Sequence, residues 1–419
     1  MMLSFLGGAS EVGRSAILLR DKRSFLLDFG VKLDDKTEYP LDAPRIDACI
    51  LSHAHLDHCG YVPAIYKDQF MPTLGTEPTL GLADLLLQDS IGVAKKRHVN
   101  AGFSKRNIKT FKDMYRPMRY RSPHNMGEYT IELFDAGHIC GSAITKIERS
   151  QATDNRSIVY TGDFKVQEQL LHGGAETVKS DLLIMESTYA TREHPDRQET
   201  MRRFVGEIKE VLDNGGNALL PAFAVGRSQE LLAILYKNGL ASSTYIDGMA
   251  KAATSISINN SGFLRNGDSL RRAAEEATLV DGPGTRTEAL SGPSVILTTA
   301  GMLNGGPVMH YIKRLAEGSR IFLTGYQIEG TNGRRLLETG TIVDEGETMR
   351  IPFPVSFFDF SAHAGMDELY DYVRRSSPST VVCVHGSEEN TAALAEGLRQ
   401  EGGFEAYAPH VGDTIKLGD

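Results

Sequence analysis

Long apolar runs are missing from this sequence of 419 residues. A membrane-spanning helix needs about 20 predominantly apolar residues, and stretches such as Leu182 to Met185 or Val381 to Val384 fall far short of that. No spanning helix is expected. Cysteine is scarce: the 4 residues, Cys49, Cys59, Cys140 and Cys383, are too few and too scattered for a disulfide scaffold. Met1 to Gly8 lacks a basic segment followed by an apolar stretch of about 7 to 15 residues, so no secretory signal is read and the cytosol is the default expectation. Positive charge is in deficit as well, with 45 Lys and Arg against 54 Asp and Glu and a formal charge of −9. Taken alone, that opposes a polyanionic partner. The remainder is ordinary for a globular chain, 41% hydrophobic and 24% charged, which excludes disorder and collagen-like repeats. At about 100 to 200 residues per domain, the length implies two or three domains.

The first third reads as strands with short turns: Met1 to Leu6, Ser15 to Arg20, Ser24 to Asp28 and Ala48 to Ser52. Helical spacing covers Asp57 to Tyr66 and Thr79 to Val93. Strands follow at Thr130 to Asp135, Ala143 to Glu148 and Ser157 to Gly162. Polar His and Asp residues sit at the carboxyl ends of these strands, where α/β and layered sheets usually build their sites. From about residue 190 the texture turns to helix and strand alternation. Helices are expected at Gln198 to Asp213, Ser228 to Leu240 and His310 to Glu317, with strands at Ala218 to Ala222, Val295 to Thr299 and Arg320 to Gly325. After about residue 350 strands return, at Val355 to Phe360, Thr380 to His385 and Thr414 to Leu417. The middle block therefore reads as an inserted α/β domain at 190–354, between the two parts of one layered domain at 1–189 and 355–419.

The strongest chemical signal is Ser52-His53-Ala54-His55-Leu56-Asp57-His58. Burying three His and one Asp without partners would cost several kcal/mol, whereas imidazole and carboxylate are the ligands zinc takes at about 2.0 to 2.2 Å. On a tight turn, His53 and His55 can face one way and Asp57 and His58 the other, giving half-shells for two ions. His138, Asp163 and His385 each follow an apolar strand, in Asp135-Ala136-Gly137-His138, Thr161-Gly162-Asp163 and Val384-His385-Gly386. Each alone also fits a satisfied structural residue; together they supply donors for two metals, with Asp163 between them. Cys59, Cys140 and Cys383 lie within two positions of candidate ligands, but His and Asp already fill both sites, so the thiols are read as small apolar residues.

His53-Ala54-His55-Leu56-Asp57-His58, with Asp28 before it and His138 and Asp163 after it, resembles the ligand series of the metallo-β-lactamase fold. The middle block resembles the β-CASP insertion of its nucleic-acid-processing branch. Glu186-Ser187-Thr188-Tyr189, Phe360-Ser361-Ala362-His363 and Val384-His385-Gly386 carry the same resemblance. So do Pro221-Ala222-Phe223-Ala224-Val225-Gly226-Arg227 and Gly325-Tyr326-Gln327-Ile328-Glu329-Gly330-Thr331. Within the branch, Glu11-Val12-Gly13-Arg14-Ser15 and His55-Leu56-Asp57-His58-Cys59-Gly60 are more similar to the endonuclease subunit of the cleavage and polyadenylation specificity factor than to ribonuclease J. The compact length suits a short archaeal member. Met2 to Leu6 already reads as the first core strand, so no N-terminal RNA-binding extension is expected.

The resemblance implies a four-layered αββα sandwich with an inserted α/β domain, and a cytoplasmic ribonuclease using two zinc ions. It puts His53, His55 and His138 on one zinc, Asp57, His58 and His385 on the other, and Asp163 between them. His363 becomes the general acid, oriented by Glu186, Ser361 a phosphate contact, and Asp28 a support for a ligand imidazole. RNA, expected single-stranded, would be cut to a 3′-hydroxyl and a 5′-phosphate, by endonuclease or 5′→3′ exonuclease action. An inert RNA-binding scaffold, a small-molecule hydrolase and a DNA-directed nuclease stand as alternatives; the intact ligand set and the Glu186 and His363 motifs speak against the first two.

Charge along the chain is uneven. Between Lys95 and Arg121 ten basic residues, Lys105 and Arg106 among them, face one acid, Asp113, so this segment carries +9 and the remainder −18. Phe111, Tyr115 and Tyr120 are interleaved and could add base stacking. An RNA-facing surface and a solvated basic helix pair both fit. Arg227, in Gly226-Arg227-Ser228, begins a helix that could hold a phosphate; a plain turn with Ser228 as helix cap fits equally. Strand-like residues between Tyr407 and Leu417 could pair with a second chain, so a homodimer is a further expectation.

Overall fold

A computed structural model describes residues 1–33, 36–149 and 156–417. The chain forms two compact units, the first made of Met1–Glu168, His172–Glu193 and Ala362–Asp419, the second of Gln169–Leu171 and His194–Ser361.

The first unit holds two seven-stranded sheets. One runs in the order Thr414–Lys416, Met2–Gly7, Ala16–Arg20, Ser24–Leu27, Ala48–Ile50, Thr73–Thr76, Tyr115–Met118. The other runs Glu405–Tyr407, Thr380–Val384, Leu182–Glu186, Arg156–Tyr160, Ala143–Arg149, Tyr129–Asp135, His124–Met126. Period-two alternation drives their stacking: Tyr129, Ile131 and Leu133 are buried while Thr130 and Glu132 are not. Leu3, Phe5, Ile17, Leu19, Phe25 and Leu27 of the first sheet share one core with Ile131, Leu133, Ile147, Ile158, Ile184 and Val382 of the second. Burying each such side chain fully is worth about 1.5–3 kcal/mol. On the second sheet's outer face, Ile144, Val159, Leu183 and Val381 pack on Leu369, Tyr372 and Val373 of helix Met366–Ser376 and on Leu394 and Leu398 of helix Glu388–Glu401. Helix Glu77–Lys96 lies against Thr73–Thr76 and Tyr115–Met118 and contacts helix Lys105–Met114. These are the αββα layers of the metallo-β-lactamase sandwich.

Four neighbouring strands in each sheet run parallel: Ser24–Leu27 to Tyr115–Met118 in one, Arg156–Tyr160 to Glu405–Tyr407 in the other. Their carboxyl ends carry Asp28, Ser52 to His58, Asp163, Glu186 and His385.

The second unit is a six-stranded parallel sheet, Thr278–Leu279, Thr244–Asp247, Ser294–Thr298, Asn217–Pro221, Arg320–Leu323, Val355–Phe357. Ala218, Leu220, Val295, Leu297 and Phe322 pack on one face, with Phe204, Leu231 and Leu235. Leu219, Ile296, Ile321 and Leu323 pack on the other, with Val308, Tyr311 and Leu336. Helices thus cover both faces of a doubly wound sheet. Because Val355–Phe357 pairs with Arg320–Leu323, residues 355–361, expected with the first unit, belong to the second.

Three further expectations change. The helix expected over Asp57 to Tyr66 is two single turns, Leu56–Cys59 and Val62–Ile65. Asp57 O accepts from Ser15 N at 2.8 Å and Tyr61 N donates to Phe29 O at 2.8 Å, which breaks the helical ladder between the turns. The helix expected over His310 to Glu317 is Val308–Ile312 only. Thr414–Lys416 pairs antiparallel with Met2–Gly7 and Glu405–Tyr407 parallel with Thr380–Val384, so the segment that could pair with a second chain already has partners on one side within its own. Each is the last strand of its sheet.

Candidate metal centre

The site grows from strand ends that leave regular geometry. Asp28 closes Ser24–Leu27 with φ 58°, and His385 closes Thr380–Val384 with φ 47°, left-handed conformations uncommon for residues other than glycine. Asp28 N donates to Ile50 O at 3.0 Å and His385 N to Gly8 O at 2.7 Å, which holds both turns in place.

Among the described residues, His53, His55, His138 and Asp163 form one group with donor atoms within 4.8 Å of one another, and Asp57, His58, Asp163 and His385 form a second. In the first, His55 Nδ1 lies 3.1 Å from both His53 Nε2 and His138 Nε2, and Asp163 Oδ2 lies 3.4 Å from His53 Nε2 and 3.8 Å from His138 Nε2. In the second, Asp163 Oδ1 is 3.2 Å from His58 Nε2 and 3.3 Å from His385 Nδ1, while Asp57 Oδ2 is 3.3 Å from His385 Nε2 and 4.0 Å from His58 Nε2. A tetrahedral ion with bonds of about 2.0–2.1 Å separates its ligands by about 3.3 Å. The donor sets are therefore spaced as a metal would space them. His58 Nε2 and Asp163 Oδ1 are also buried with no hydrogen bond, a cost that a shared cation removes. The residues fit the metal their types imply, and the two oxygens of Asp163 fall one to each group.

Atoms turned away from the centre are tied down. His58 Nδ1 donates to Asp28 Oδ2 at 2.8 Å, and Ser52 Oγ donates to the same oxygen at 2.6 Å. With its proton so committed, Ser52 Oγ accepts from His53 Nδ1 at 3.0 Å. Ser52 N and Tyr160 Oη add further donors to Asp28, each at 2.8 Å. Asp28 thus orients one imidazole directly and another through Ser52, leaving the Nε2 lone pairs of both for a metal. His138 Nδ1 donates to Ala362 O at 2.8 Å to the same effect. Ser52 and Tyr160 were not anticipated as site residues, since one serine and one tyrosine signal nothing without their positions in the fold.

Charge is divided within the cluster. Burial, helped by neighbouring His58, pushes the His53 imidazole well below its usual range, and burial with nearby His363 does the same to His138. His58 and His385 go the other way: burial opposes their charged forms, but Asp163 and Asp57 overcome it. Asp163 is held well below the carboxylate range against its burial by His385 and His58. Metal ligation needs neutral imidazole, so loading the second group releases protons.

A third group joins Asp163, Glu186 and His363. Glu186, 1% exposed, accepts from Phe164 N at 2.8 Å, from Thr188 Oγ1 at 2.5 Å and from His363 Nδ1 at 2.9 Å. Burial works against the His363 cation, but Glu186 and Asp163 hold its pKa up to about 9. Thr188, also unanticipated, reaches His385 O at 3.1 Å and so bridges the Glu186 strand end to the His385 turn.

Other candidate residues are not members of these three groups. Ser361 belongs to the second unit, where its N–H donates to Asp359 Oδ1 at 3.0 Å. Arg227 opens helix Arg227–Lys237 there; the cap is Gly226, whose N–H donates to Gln229 Oε1 at 2.8 Å. Ser228, read as a possible cap, lies inside the helix and donates its hydroxyl to Phe223 O at 2.6 Å. Lys105 and Arg106 are exposed in the first turn of Lys105–Met114. All four cysteines are buried and outside disulfides, and among the described residues none joins the three His and carboxylate groups. Burial drives the Cys59 thiol well above its usual range and Cys383 up to about 12, so both stay protonated.

Fold and site together define a metal-dependent hydrolase of the metallo-β-lactamase class. Three family descriptions match the chain: a Zn-dependent metallo-hydrolase RNA specificity domain over residues 348–409, a Beta-Casp domain over 228–336, and the anti-Pycsar protein Apyc1 over 5–199. Probable RNase MJ4 of Methanocaldococcus jannaschii is 35% identical, with 100% of each chain covered. RNase aCSPSF2 of Saccharolobus solfataricus is 35% identical over 99% of this chain and 85% of its own length. Transcription termination factor FttA of M. jannaschii is 34% identical over 99% of this chain and 71% of its own. A crystal structure of an Enterococcus faecalis protein of unknown function shares the fold, with TM-score 0.64, 16% identity and 99% of both chains covered. The chain belongs to the β-CASP family of metallo-β-lactamase-fold ribonucleases.

Proposed function

We propose that this protein hydrolyses RNA phosphodiester bonds at a centre of two zinc ions, leaving a 3′-hydroxyl and a 5′-phosphate. The observation that carries this reading is Asp163, whose two oxygens each join a separate His-rich group while His363 stands beside it on Glu186. One ion would rest on His53, His55 and His138, the other on Asp57, His58 and His385, with Asp163 shared. Bound there, zinc lowers the pKa of water toward neutrality and neutralises phosphate charge. Asp57 and Asp163 hold that charge in position, and Asp28 fixes His58 and, through Ser52, His53.

His363 supplies the proton that the departing 3′ oxygen needs. Its Nδ1 is committed to Glu186, so Nε2 is the atom that hands the proton over. Glu186 keeps the imidazole charged at neutral pH and fixes its plane; bound cations would draw the pKa down from about 9 toward the working range. Ser361 and Arg227 are assigned to substrate phosphates. Lys105 and Arg106 are assigned to the flanking strand, in keeping with the +9 of their segment. A single-stranded substrate is part of the proposal, and a duplex of the same sequence cut as fast as the single strand would remove it. A homodimer, if formed, would add strands at the outer edges of Glu405–Tyr407 and Thr414–Lys416, which sedimentation of the purified chain measures directly.

The test uses wild type and His363→Ala with RNA and DNA of one sequence, labelled at the 5′ end. Zinc-loaded wild type should cut the RNA, and His363→Ala should be slower by about 10²–10⁴-fold. Mononucleotide release marks exonuclease action and discrete internal products mark endonuclease action. Cleavage that persists undiminished after chelation overturns the reading, and preference for DNA corrects its substrate.

A further inference from the structure

Among the described residues, Lys165 is the only lysine or arginine counted as buried, at 1% exposure. Burying an ammonium is costly even when it is paired, and apolar side chains of similar volume often serve stability as well or better. Stability is thus a weak reason for a buried lysine two residues after Asp163. What it holds in place is a stronger one.

Lys165 Nζ donates to Glu368 Oε2 at 2.6 Å. The same oxygen accepts from Gly365 N at 3.0 Å, and Glu368 Oε1 accepts from Gln167 N at 2.6 Å. Gly365 stands two residues after His363, as Lys165 stands two residues after Asp163. Between them Ala364 N donates to Phe164 O at 2.8 Å, and Phe164 N donates to Glu186, the carboxylate that grips His363, at 2.8 Å. Segments 163–165 and 363–365 are therefore laced at each step. Asp163 and His363 share one group of donor atoms, Phe164 meets Ala364, and Lys165 reaches Gly365 through Glu368. The lysine is itself anchored, its N–H donating to Ala136 O at 2.9 Å and its carbonyl accepting from Ala175 N at 2.7 Å.

We infer that Lys165 is a positioning residue for proton transfer, setting through Glu368 and Gly365 how far His363 stands from Asp163. The inference rests on the reading of His363 as general acid and adds a residue outside the three donor groups. Glu186 holds Nδ1 and so fixes the direction of the ring, but a ring aimed correctly can still stand too far away. Its distance follows the backbone of 363–365, which Phe164 and Glu368 tie to the Asp163 segment. Proton transfer needs heavy atoms about 2.6–3.2 Å apart, and a misplacement of about 1 Å can cost about 10²-fold in rate. Capping the helix does not require the lysine, because Glu368 can accept from Gly365 N without it.

Lys165→Met keeps the length of the side chain and removes its charge. Made in the full chain, it should hold as much zinc as wild type. Its kcat on RNA should fall about 10²-fold with KM unchanged. Bis(p-nitrophenyl) phosphate, whose p-nitrophenolate leaves without a proton, should be hydrolysed at the wild-type rate. The residual RNA cleavage of His363→Ala should fall no further when Lys165→Met is added, since residues acting as one unit are not additive. That comparison uses RNA alone, and so decides the matter even for an enzyme that does not accept the ester. Glu368→Gln loosens the same tether from its other end and should show the same selectivity, which carries the comparison if Lys165→Met does not fold. Equal losses on both substrates, a further loss in the His363→Ala background, or RNA cleavage at full rate would overturn the inference and leave the ribonuclease reading intact. A wild type that cuts no RNA, or a His363→Ala protein as fast as wild type, removes the reading beneath it as well.

Discussion

In the first unit the carboxyl ends of the parallel strands carry Asp28, His53, Asp163, Glu186 and His385, none more than 3% exposed. In the second they carry Phe223, Tyr326 and Phe357, at 42–50% exposure, and one buried carboxylate, Asp247. The two edges occupy the same place in their sheets and use it oppositely. Asp247 accepts from Arg286 Nε at 2.7 Å, Tyr311 Oη at 2.9 Å and Gly248 N at 2.7 Å, so its charge and both oxygens are already satisfied. Asp163 is surrounded by imidazoles, yet one of its oxygens has no hydrogen bond, and neither has the facing His58 Nε2. Buried charge alone does not mark a metal centre; converging buried donor atoms that their own hydrogen bonds do not satisfy do.

Removing the support of the first edge should have the larger effect. Asp28→Ala takes away the carboxylate shared by His58, Ser52 and Tyr160, and zinc affinity should fall about 10–100-fold, as loss of such an outer partner typically does. Competition with a chromophoric chelator measures it; unchanged affinity would mean that the imidazoles are held by packing alone. In the second unit Arg286→Met strands a buried carboxylate and should cost about 2–3 kcal/mol of stability without altering zinc content. Urea unfolding and metal analysis of the same preparation separate these outcomes, and a loss of zinc would break the distinction between the two edges.

A smaller effect is expected at Glu368, which caps helix Met366–Ser376 in the first unit. Burial would raise its pKa, but Lys165 Nζ at 2.6 Å, with the Gly365 and Gln167 amides, holds it below the usual carboxylate range. The folded pKa is depressed, so this stabilisation is complete above the unfolded carboxyl pKa of about 4.3 and is lost as pH falls through the folded value. Glu368→Gln should therefore be less stable than wild type at pH 7 and lose less on acidification. Parallel urea midpoints down the acid limb would refute the sign.

Much of the first unit was legible because its chemistry is local. His53, His55, Asp57 and His58 fall within six residues after an apolar strand, and His138, Asp163 and His385 each end one. What escaped is what the fold brings from afar. Tyr160 reaches Asp28 across 132 positions, and Thr188 reaches His385 across 197, with nothing in either residue type to announce it. The split of the Asp57 to Tyr66 helix was hidden too, since it depends on Ser15 and Phe29 claiming backbone groups that helical periodicity assigns elsewhere. In the second unit, strands Thr244–Asp247 and Thr278–Leu279 were not read from the sequence, and the second of them is only two residues long.

Zinc analysis of two purified variants, Asp163→Ala and His363→Ala, tests the central claim most directly. Asp163→Ala should lose metal from both groups, because each of its oxygens serves one of them. His363→Ala should retain two zinc ions per chain and yet fail to cut RNA. A His363→Ala protein without metal, or an Asp163→Ala protein with both ions in place, would contradict the account.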